Sequence, residues 1–197
     1  RHIYSVSYLS QFNNCYNSVY WHRAQRLLRY LQKTKSYVMK FTKDNCNLEG
    51  FVDAEWAANT IDKKSYTSFC FKLSSCIVSY ECRKQQTVAL SSTEAKYMAI
   101  AKACKEAIYL KNLLRYIINR NYTVVIYNDN QGTQKLTENP LFHKRTKHID
   151  VRYHFIREAI SNKLVKVVYL STSEMPADIL TKSLSGAKHI TIFWNYY

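Results

Sequence analysis

The order of β-rich and helical segments along the chain determines which fold class it can adopt. Three β-rich runs come first, a long amphipathic helix follows, and two more β-rich runs alternate with helices after it. The five runs are "NLEGFVDAEW", "SYTSFCFKL", "CIVSYEC", "TVVIYNDN" and "KLVKVVYL". The resulting order, β-β-β-α-β-α-α-β-α, predicts an α/β fold in which a mixed five-stranded sheet is flanked by helices. Ser74 and Ser75 separate the second and third runs and predict a tight hairpin, although serine is a poor choice where positive φ is needed.

The first 42 residues have a different character and predict a separate basic helical piece ahead of the sheet. The apolar residues of this piece step by three, four and three positions, which places them on one helical face. They are Trp21, Ala24, Leu28 and Leu31, and the basic residues on the other sides are Arg23, Arg26, Arg29 and Lys33. Phosphate contact and a simple solvated face are equally good interpretations of these basic side chains. The predicted division is therefore 1–42 and 43–197.

The charge balance favours a polyanionic partner. Lysine and arginine total 29 against 14 acidic residues, which gives a formal charge of +15. Such an excess suits nucleic acid before membrane, although solvated lysines alone would also explain it. The sequence contains neither an apolar run long enough to span a bilayer nor a signal peptide. Six cysteines without a C-x-x-C pair predict free thiols rather than a zinc site. We therefore expect an intracellular protein, cytoplasmic or nuclear and not secreted, with no membrane partner and no small-molecule cofactor.

Four acidic residues occupy positions that the predicted fold would bring together. Asp53 and Asp129 each end a predicted strand, and parallel neighbouring strands would project both carboxylates at the same edge of the sheet. Glu94 begins the long helix, and Asp178 lies on the last helix. Four acids at one edge would repel one another unless cations lay between them. Oxygen ligands favour Mg²⁺ or Mn²⁺ over zinc.

Each acid also has a purely structural interpretation. Ser91 followed three positions later by Glu94 is the capping-box pattern of a helix start. Asp178 could be a first-turn acid facing the helix dipole, and the two strand-end aspartates could begin turns. For each acid considered alone, the structural role is the better interpretation. The occurrence of all four acids at these positions favours a functional site. The carboxylate of Glu94 cannot be fully engaged in both roles.

Long segments of the chain resemble the ribonuclease H domain of copia-type LTR-retrotransposon Pol polyproteins. The segments are "FVDAEWA", "KQQTVALSSTEAKYMA", "IYNDNQ", "NPLFHKRTKHIDVRYHFIRE" and "ADILTKSL". The leading "YLSQF" and "YWHRAQRLLRYLQKT" resemble the segment that closes the reverse transcriptase. The resemblance implies that 1–42 is the end of a reverse transcriptase and that 43–197 is a ribonuclease H-like domain. It also implies that the upstream reverse transcriptase domain, where present, is a partner.

The resemblance assigns the family's four metal-binding acids to Asp53, Glu94, Asp129 and Asp178. It implies an Mg²⁺-dependent endoribonuclease that cuts the RNA strand of RNA–DNA hybrids with two ions, for which Mn²⁺ may substitute. Asp53 would bridge both ions, Glu94 and Asp129 would bind one, and Asp178 would bind the other. The alternative is an inactive, nucleic-acid-binding remnant of the polyprotein. A transposase or integrase nuclease would instead have two aspartates followed by a glutamate on a late helix.

The chain departs from the family pattern at turns and strands but not at the four acids. Ser74 and Ser75 replace a glycine-rich hairpin, and Tyr80 replaces a tryptophan. Asn128 replaces the cysteine before the third acid, and Ser183 replaces a proline. These departures affect the precision of folding rather than metal ligation.

Basic and amide side chains near the acids are the predicted contacts to the nucleic acid. They are Arg83, Lys84, Gln85, Gln86, Lys144, Arg145, Lys147, His148 and Arg152. His148 has three possible roles, namely protonation of the leaving group, contact with a phosphate, or capping of the following helix. We favour phosphate contact or a structural role.

Overall fold

The computed structural model describes residues 2–39, 41, 47–119, 121–138 and 147–182. Its helices are α1 (His2–Ser10), α2 (Ser18–Thr34), α3 (Ser92–Ile118), α4 (Gln131–Glu138), α5 (Lys147–Ser161) and α6 (Asp178–Thr181). Its strands are β1 (Leu48–Glu55), β2 (Tyr66–Leu73), β3 (Cys76–Lys84), β4 (Val124–Asn128) and β5 (Val165–Tyr169).

The five strands form one mixed sheet in the order β3-β2-β1-β4-β5. The first three strands pair antiparallel, whereas β4 is parallel to both β1 and β5. The predicted mixed five-stranded sheet with an N-terminal helical extension is therefore confirmed. The parallel pairing of β1 with β4 decides the position of the site, because it aligns Val52 with Asn128 and brings the carboxyl ends of the two strands together.

The predicted hairpin between β2 and β3 has a two-residue loop of Ser74 and Ser75, closed by the pair Leu73 and Cys76. Ser74 adopts φ 55°, in the left-handed region that favours glycine. Serine therefore occupies a strained turn position, while the strands on either side keep their pairing apart from one register shift between Phe71 and Lys72.

Helices α3 and α5 cover one face of the sheet and form the larger hydrophobic core. The predicted apolar stripe of α3 contributes Ile100, Ala103 and Ala107, each fully buried, and α5 contributes Ile156. The stripe ends earlier than predicted, because Ile117 in the last turn of α3 is 68% exposed. The helix continues beyond the edge of the sheet that it covers.

The opposite face of the sheet is covered by α6 and also by α1. The ring of Tyr4 on α1 meets the ring of Tyr66 edge-on, with 5.0 Å between centroids. Gln11, just after α1, donates a hydrogen bond of 2.8 Å to the Tyr66 hydroxyl. Thus α1 packs against the sheet, although the sequence assigned it to a separate N-terminal piece. The boundary at residue 42 lies outside the described residues and stays a prediction.

Helix α2 is more exposed than α1: most described side chains of α1 are half-buried, whereas most of those of α2 are exposed and none is buried. Its predicted apolar face is directed to solvent, with Trp21 61% and Leu28 63% exposed. Asn17 caps the helix by accepting a hydrogen bond of 3.1 Å from the backbone of Tyr20. The sequence predicted the helix and its amphipathic pattern correctly.

The described helices include none that combines the length and the apolar character needed to cross a bilayer. Five cysteines fall within the described residues, and all are free thiols. Four of them are buried, and Cys15 is exposed.

Candidate metal centre and basic groove

Three of the four predicted acids meet at the carboxyl edge of β1 and β4. Asp53 lies near the end of β1, and Asp129 directly follows β4. The aligned pair Val52 and Asn128 precedes them, so the parallel register places the two carboxylates side by side. Asp178, the first residue of α6, completes the group. Each of the three side chains offers an oxygen that lies within 4.8 Å of the other two.

Asp178 reaches this edge because the segment before it is attached to the sheet. The Ser68 hydroxyl on β2 donates a hydrogen bond of 3.1 Å to the carbonyl oxygen of Ala177. At the end of α6, Thr181 donates a hydrogen bond of 2.8 Å to Asp53 Oδ2. Met175 and Leu180 are buried in the smaller core beneath these contacts. The short helix is therefore fixed to β1 and β2 from both of its ends.

Two lysine ammonium groups, which the sequence analysis did not single out, lie among the three carboxylates. Lys96 Nζ contacts Asp129 Oδ1 and lies 3.4 Å from Asp53 Oδ1. Lys182 Nζ lies 2.6 Å from Asp178 Oδ1 and 3.3 Å from Asp53 Oδ2. Each ammonium thus bridges a different pair of carboxylates, and both pairs share Asp53. The two positive charges offset most of the repulsion that three close carboxylates would otherwise produce.

The electrostatics of Asp53 follow from these contacts. Burial alone would raise the pKa of its carboxyl, but Lys182 and Lys96 outweigh burial and hold the pKa below its ordinary value. For Lys182, burial acts to lower the pKa of the ammonium, and the carboxylates of Asp53 and Asp178 raise it above the ordinary value. Asp53 and Lys182 are therefore an ionised pair.

Glu94 adopts the capping role that its sequence also allowed. Its carboxylate accepts a hydrogen bond of 2.8 Å from the backbone N–H of Leu90, and its own N–H donates to the Ser91 hydroxyl at 3.1 Å. Among the described residues, the cluster of acids close enough to share an ion does not include Glu94. The capping-box prediction is confirmed. The carboxylate of Glu94 accepts its hydrogen bond from Leu90, the residue just before the N-cap residue Ser91. The metal-binding role of Glu94 stays a prediction.

Glu55 is a fifth acid near the centre that sequence reasoning missed. Burial raises the pKa of its carboxyl, the charges of Asp53 and Asp178 raise it further, and Lys182 opposes them. Its Oε2 atom is buried without a hydrogen-bond partner among the described residues. The sequence "VDAEW" contained the signal for this position. Glu55 lies two residues after Asp53, and side chains two apart on a strand share a face.

A groove lined by basic side chains runs between the end of β3, α3 and α5, with a volume of about 410 Å³. Five predicted nucleic-acid contacts line it, namely Arg83, Lys84, Gln85, Gln86 and Arg152. Lys102 and Lys105 on α3 also line the groove, although the sequence analysis did not select them. The sequence could not identify these two lysines, because their spacing along the helix does not specify which face of α3 packs against α5.

The predicted nucleic-acid contacts differ in how accessible their side chains are to a ligand. Gln85 is only 7% exposed, and its amide donates to the Thr67 hydroxyl at 2.9 Å and to the carbonyl of Ala95 at 3.0 Å. Its side chain therefore joins β3 to α3 instead of facing solvent. Lys84 is held by Asp62 at 2.9 Å. By contrast, Arg83 and Gln86 are exposed.

The remaining predicted contacts fall at the start of α5 and at the positions just before it in the sequence. Lys144 and Arg145 lie outside the described residues, as do the side chains of Lys147 and His148. Their roles stay predictions.

Comparison with known proteins identifies the family. No protein-family model matches the chain. Over 179 residues, 91% of its length, the chain is 38% identical to the "Retrovirus-related Pol polyprotein from transposon TNT 1-94" of Nicotiana tabacum. The chain belongs to the copia-type retrotransposon Pol family. This Pol segment covers 14% of the length of its tobacco relative.

The fold of the Pol segment is that of ribonuclease H. One solved structure that it resembles is LC11 RNase H1, isolated from compost by a metagenomic approach, with a TM-score of 0.52 and 11% identity. That alignment covers 70% of the Pol segment and 94% of the other chain. Another is the foamy viral protease–reverse transcriptase in complex with an RNA/DNA hybrid, with a TM-score of 0.50 and 14% identity. The alignment with this viral protein covers 85% of the Pol segment and 26% of the viral chain.

The donors at the carboxylate cluster fit a hard divalent cation. Asp53, Asp129 and Asp178 offer only carboxylate oxygens, which are the ligands that Mg²⁺ and Mn²⁺ prefer. The cluster already accommodates positive charge at two places, between Asp53 and Asp129 and between Asp53 and Asp178. Both the donor chemistry and the charge of the cluster therefore suit metal ions.

Proposed function

We propose that this Pol segment is a divalent-metal-dependent ribonuclease H that hydrolyses the RNA strand of RNA–DNA hybrids. The observation that carries the proposal is the cluster of Asp53, Asp129 and Asp178, whose oxygens lie within 4.8 Å of one another although the residues are far apart in sequence. Membership of the Pol family and the ribonuclease H fold support the same activity.

Within this proposal, Asp53 is the central ligand because its two oxygens face different neighbours. Asp53 and Asp129 would hold one ion, and Asp53 and Asp178 would hold the other. Bound Mg²⁺, or Mn²⁺ in its place, supplies an activated water and positive charge against the leaving oxygen. Thr181 keeps Asp53 oriented through its hydrogen bond to Oδ2. Glu94 would join as a ligand only after releasing the backbone of Leu90.

The basic groove is the proposed contact surface for the phosphates of the hybrid. Arg83, Lys105 and Arg152 bring positive charge to it, whereas Lys102, which also lines it, is paired with Glu81. Arg152 lines the groove, and guanidinium groups bind phosphate oxygens through charge-assisted hydrogen bonds. The formal charge of +15 favours association with any nucleic acid, and selection of RNA would come from the 2′-hydroxyl group.

A second candidate function is a nucleic-acid-binding Pol remnant without catalysis. The observation that favours it is the engagement of all four predicted acids within the protein. Lys96 and Lys182 contact the three aspartates, and Glu94 caps α3. The basic groove would retain its affinity for nucleic acid in either case.

A cleavage assay separates these candidates. The purified protein is incubated with a hybrid labelled on its RNA strand, in Mg²⁺ or Mn²⁺, with an EDTA control. We expect metal-dependent cutting by the wild type and its abolition by Asp53→Asn and by Asp129→Asn. Glu49→Gln, at the opposite end of β1 from the cluster, is the matched control and should cut normally.

Binding to the hybrid, measured by fluorescence anisotropy in EDTA, should be retained by all of these variants. Cutting that persists in both active-centre variants would show that the assigned centre does not perform the reaction. Hybrid binding without cutting by the wild type would establish the non-catalytic remnant.

A further inference from the structure

The two lysines of the carboxylate cluster occupy the places where positive charge is most strongly favoured. Lys96 lies between Asp53 and Asp129, and Lys182 lies between Asp53 and Asp178. These are the same two carboxylate pairs that the proposed function assigns to two metal ions. An ammonium group and a divalent cation cannot share one pair of carboxylates, because their charges repel at contact distance.

The two lysines reach the cluster from different parts of the fold. Lys96 extends from the first turns of α3, and Lys182 immediately follows α6, four residues after its partner Asp178. No short sequence motif links Lys96 to Asp53, since they are 43 positions apart. The convergence of two ammonium groups on one buried carboxylate is therefore a feature of the tertiary structure.

Both lysines have a route by which they can withdraw. The side chain of Lys96 is 15% exposed and that of Lys182 is 28% exposed, whereas the carboxylate of Asp53 is fully buried. Each lysine side chain is thus more exposed than the carboxylates that it contacts. The flexible four-carbon stem of lysine allows the charge to move into water without a change in the backbone.

We propose that Lys96 is a built-in counter-ion that holds the Asp53–Asp129 pair in place of a divalent ion and lowers the affinity of the cluster for metal. Lys182 acts in the same way on the Asp53–Asp178 pair. The inference rests on the proposed metal centre and extends it, because it assigns the metal affinity to residues that are not ligands. In the absence of metal the lysines keep the carboxylates close together, and a bound ion displaces them.

Titration with Mn²⁺ in an isothermal calorimeter tests the inference without using catalysis. Lys96→Met removes the competing charge and keeps an unbranched apolar stem of similar length. We expect Mn²⁺ to bind Lys96→Met about tenfold more tightly than the wild type, within the range typical of coupled sites. Lys166→Met on β5, an exposed lysine remote from the cluster, is the matched control and should match the wild type.

Charge-preserving and charge-removing variants at the same position isolate the cause. Lys96→Arg retains the positive charge and should not bind Mn²⁺ more tightly than the wild type. Lys96→Gln removes the charge, should bind more tightly, and replaces Lys96→Met if the latter fails to fold. The rise in melting temperature on adding Mn²⁺ should also be larger for the neutral variants, since a tighter ligand stabilises the folded state more.

The outcomes distinguish this inference from the proposed function. Equal Mn²⁺ affinity in the wild type and the neutral variants, abolished by Asp53→Asn, would overturn the counter-ion role and leave the metal centre intact. Absence of Mn²⁺ binding to every variant would overturn the metal centre and the counter-ion role together.

Discussion

Replacement of Thr181 by valine tests how the carboxylate cluster is held together. The Thr181 hydroxyl is 1% exposed and donates a hydrogen bond of 2.8 Å to Asp53 Oδ2, which is itself buried. Valine has nearly the same shape but donates no hydrogen bond, so the variant removes one charge-assisted interaction and creates little empty space. Hydrogen bonds to charged groups contribute about 1.5–3 kcal/mol. We expect a loss of about 2 kcal/mol in the free energy of unfolding.

The loss should appear as a fall of about 4–8 °C in melting temperature, because 1 kcal/mol corresponds to about 2–4 °C in a domain of this size. Unfolding is followed by circular dichroism in EDTA, so that no metal contributes. Thr172→Val is the matched control, since Thr172 makes an equivalent bond of 3.0 Å to Asp129 Oδ2 in an exposed position. It should change the free energy of unfolding by about 0.5 kcal/mol or less.

The pH dependence provides a second check on the same variant. Thr181 stabilises the ionised carboxylate, and the pKa of Asp53 is lowered in the folded protein. A group with a lowered folded-state pKa contributes stability that is complete above its unfolded pKa of about 3.9 and is lost as pH falls through the folded value. The difference between Thr181→Val and the wild type should therefore be constant near neutral pH and shrink below about pH 4. A difference under about 0.5 kcal/mol at pH 7 would refute the assigned interaction.

Three further outcomes follow from the packing, the groove and the thiols. Gly50→Ala places a Cβ 2.5 Å from the Phe71 ring, so the free energy of unfolding should fall by about 1–3 kcal/mol in urea titrations, and an unchanged midpoint would contradict the packing. Arg83→Ala should weaken hybrid binding and reduce the slope of log affinity against log salt by about 1, whereas an unchanged slope would remove Arg83 from the interface. Burial raises the pKa of the Cys104 thiol to about 12, so peptide mapping after brief alkylation of the native protein should find Cys15 modified and Cys104 intact. Equal labelling of the two would contradict the burial.

Much of the fold could be predicted from the sequence because the patterns are local and strong. The β-branched run before Asp129 and the β-rich run before Asp53 each predicted a strand that ends in an acid. Parallel pairing of those strands was then enough to bring the two carboxylates together. The place of Asp178 followed from the position of its helix after the last strand.

The two lysines of the carboxylate cluster could not be predicted in the same way. Lys96 and Lys182 carry no pattern that separates them from the other lysines, and their contacts depend on how α3 and α6 pack against β1. Glu94 fitted two roles that local sequence could not separate, and in the structure its carboxylate accepts a hydrogen bond from the backbone of Leu90. Gln85 belongs to a polar segment, yet the pairing of β3 turns its side chain inward.

The packing of α1 on the sheet has a practical consequence for producing the predicted domain 43–197 alone. A protein that starts at residue 43, as the family resemblance would suggest, lacks the side chains of Tyr4 and Gln11 that cover Tyr66. The fully buried ring of Tyr66 would then become accessible to water at the surface of β2, opposite Lys84 on β3. Such a truncated protein should aggregate more readily and bind hydrophobic dyes, so expression designs should retain the first twelve residues.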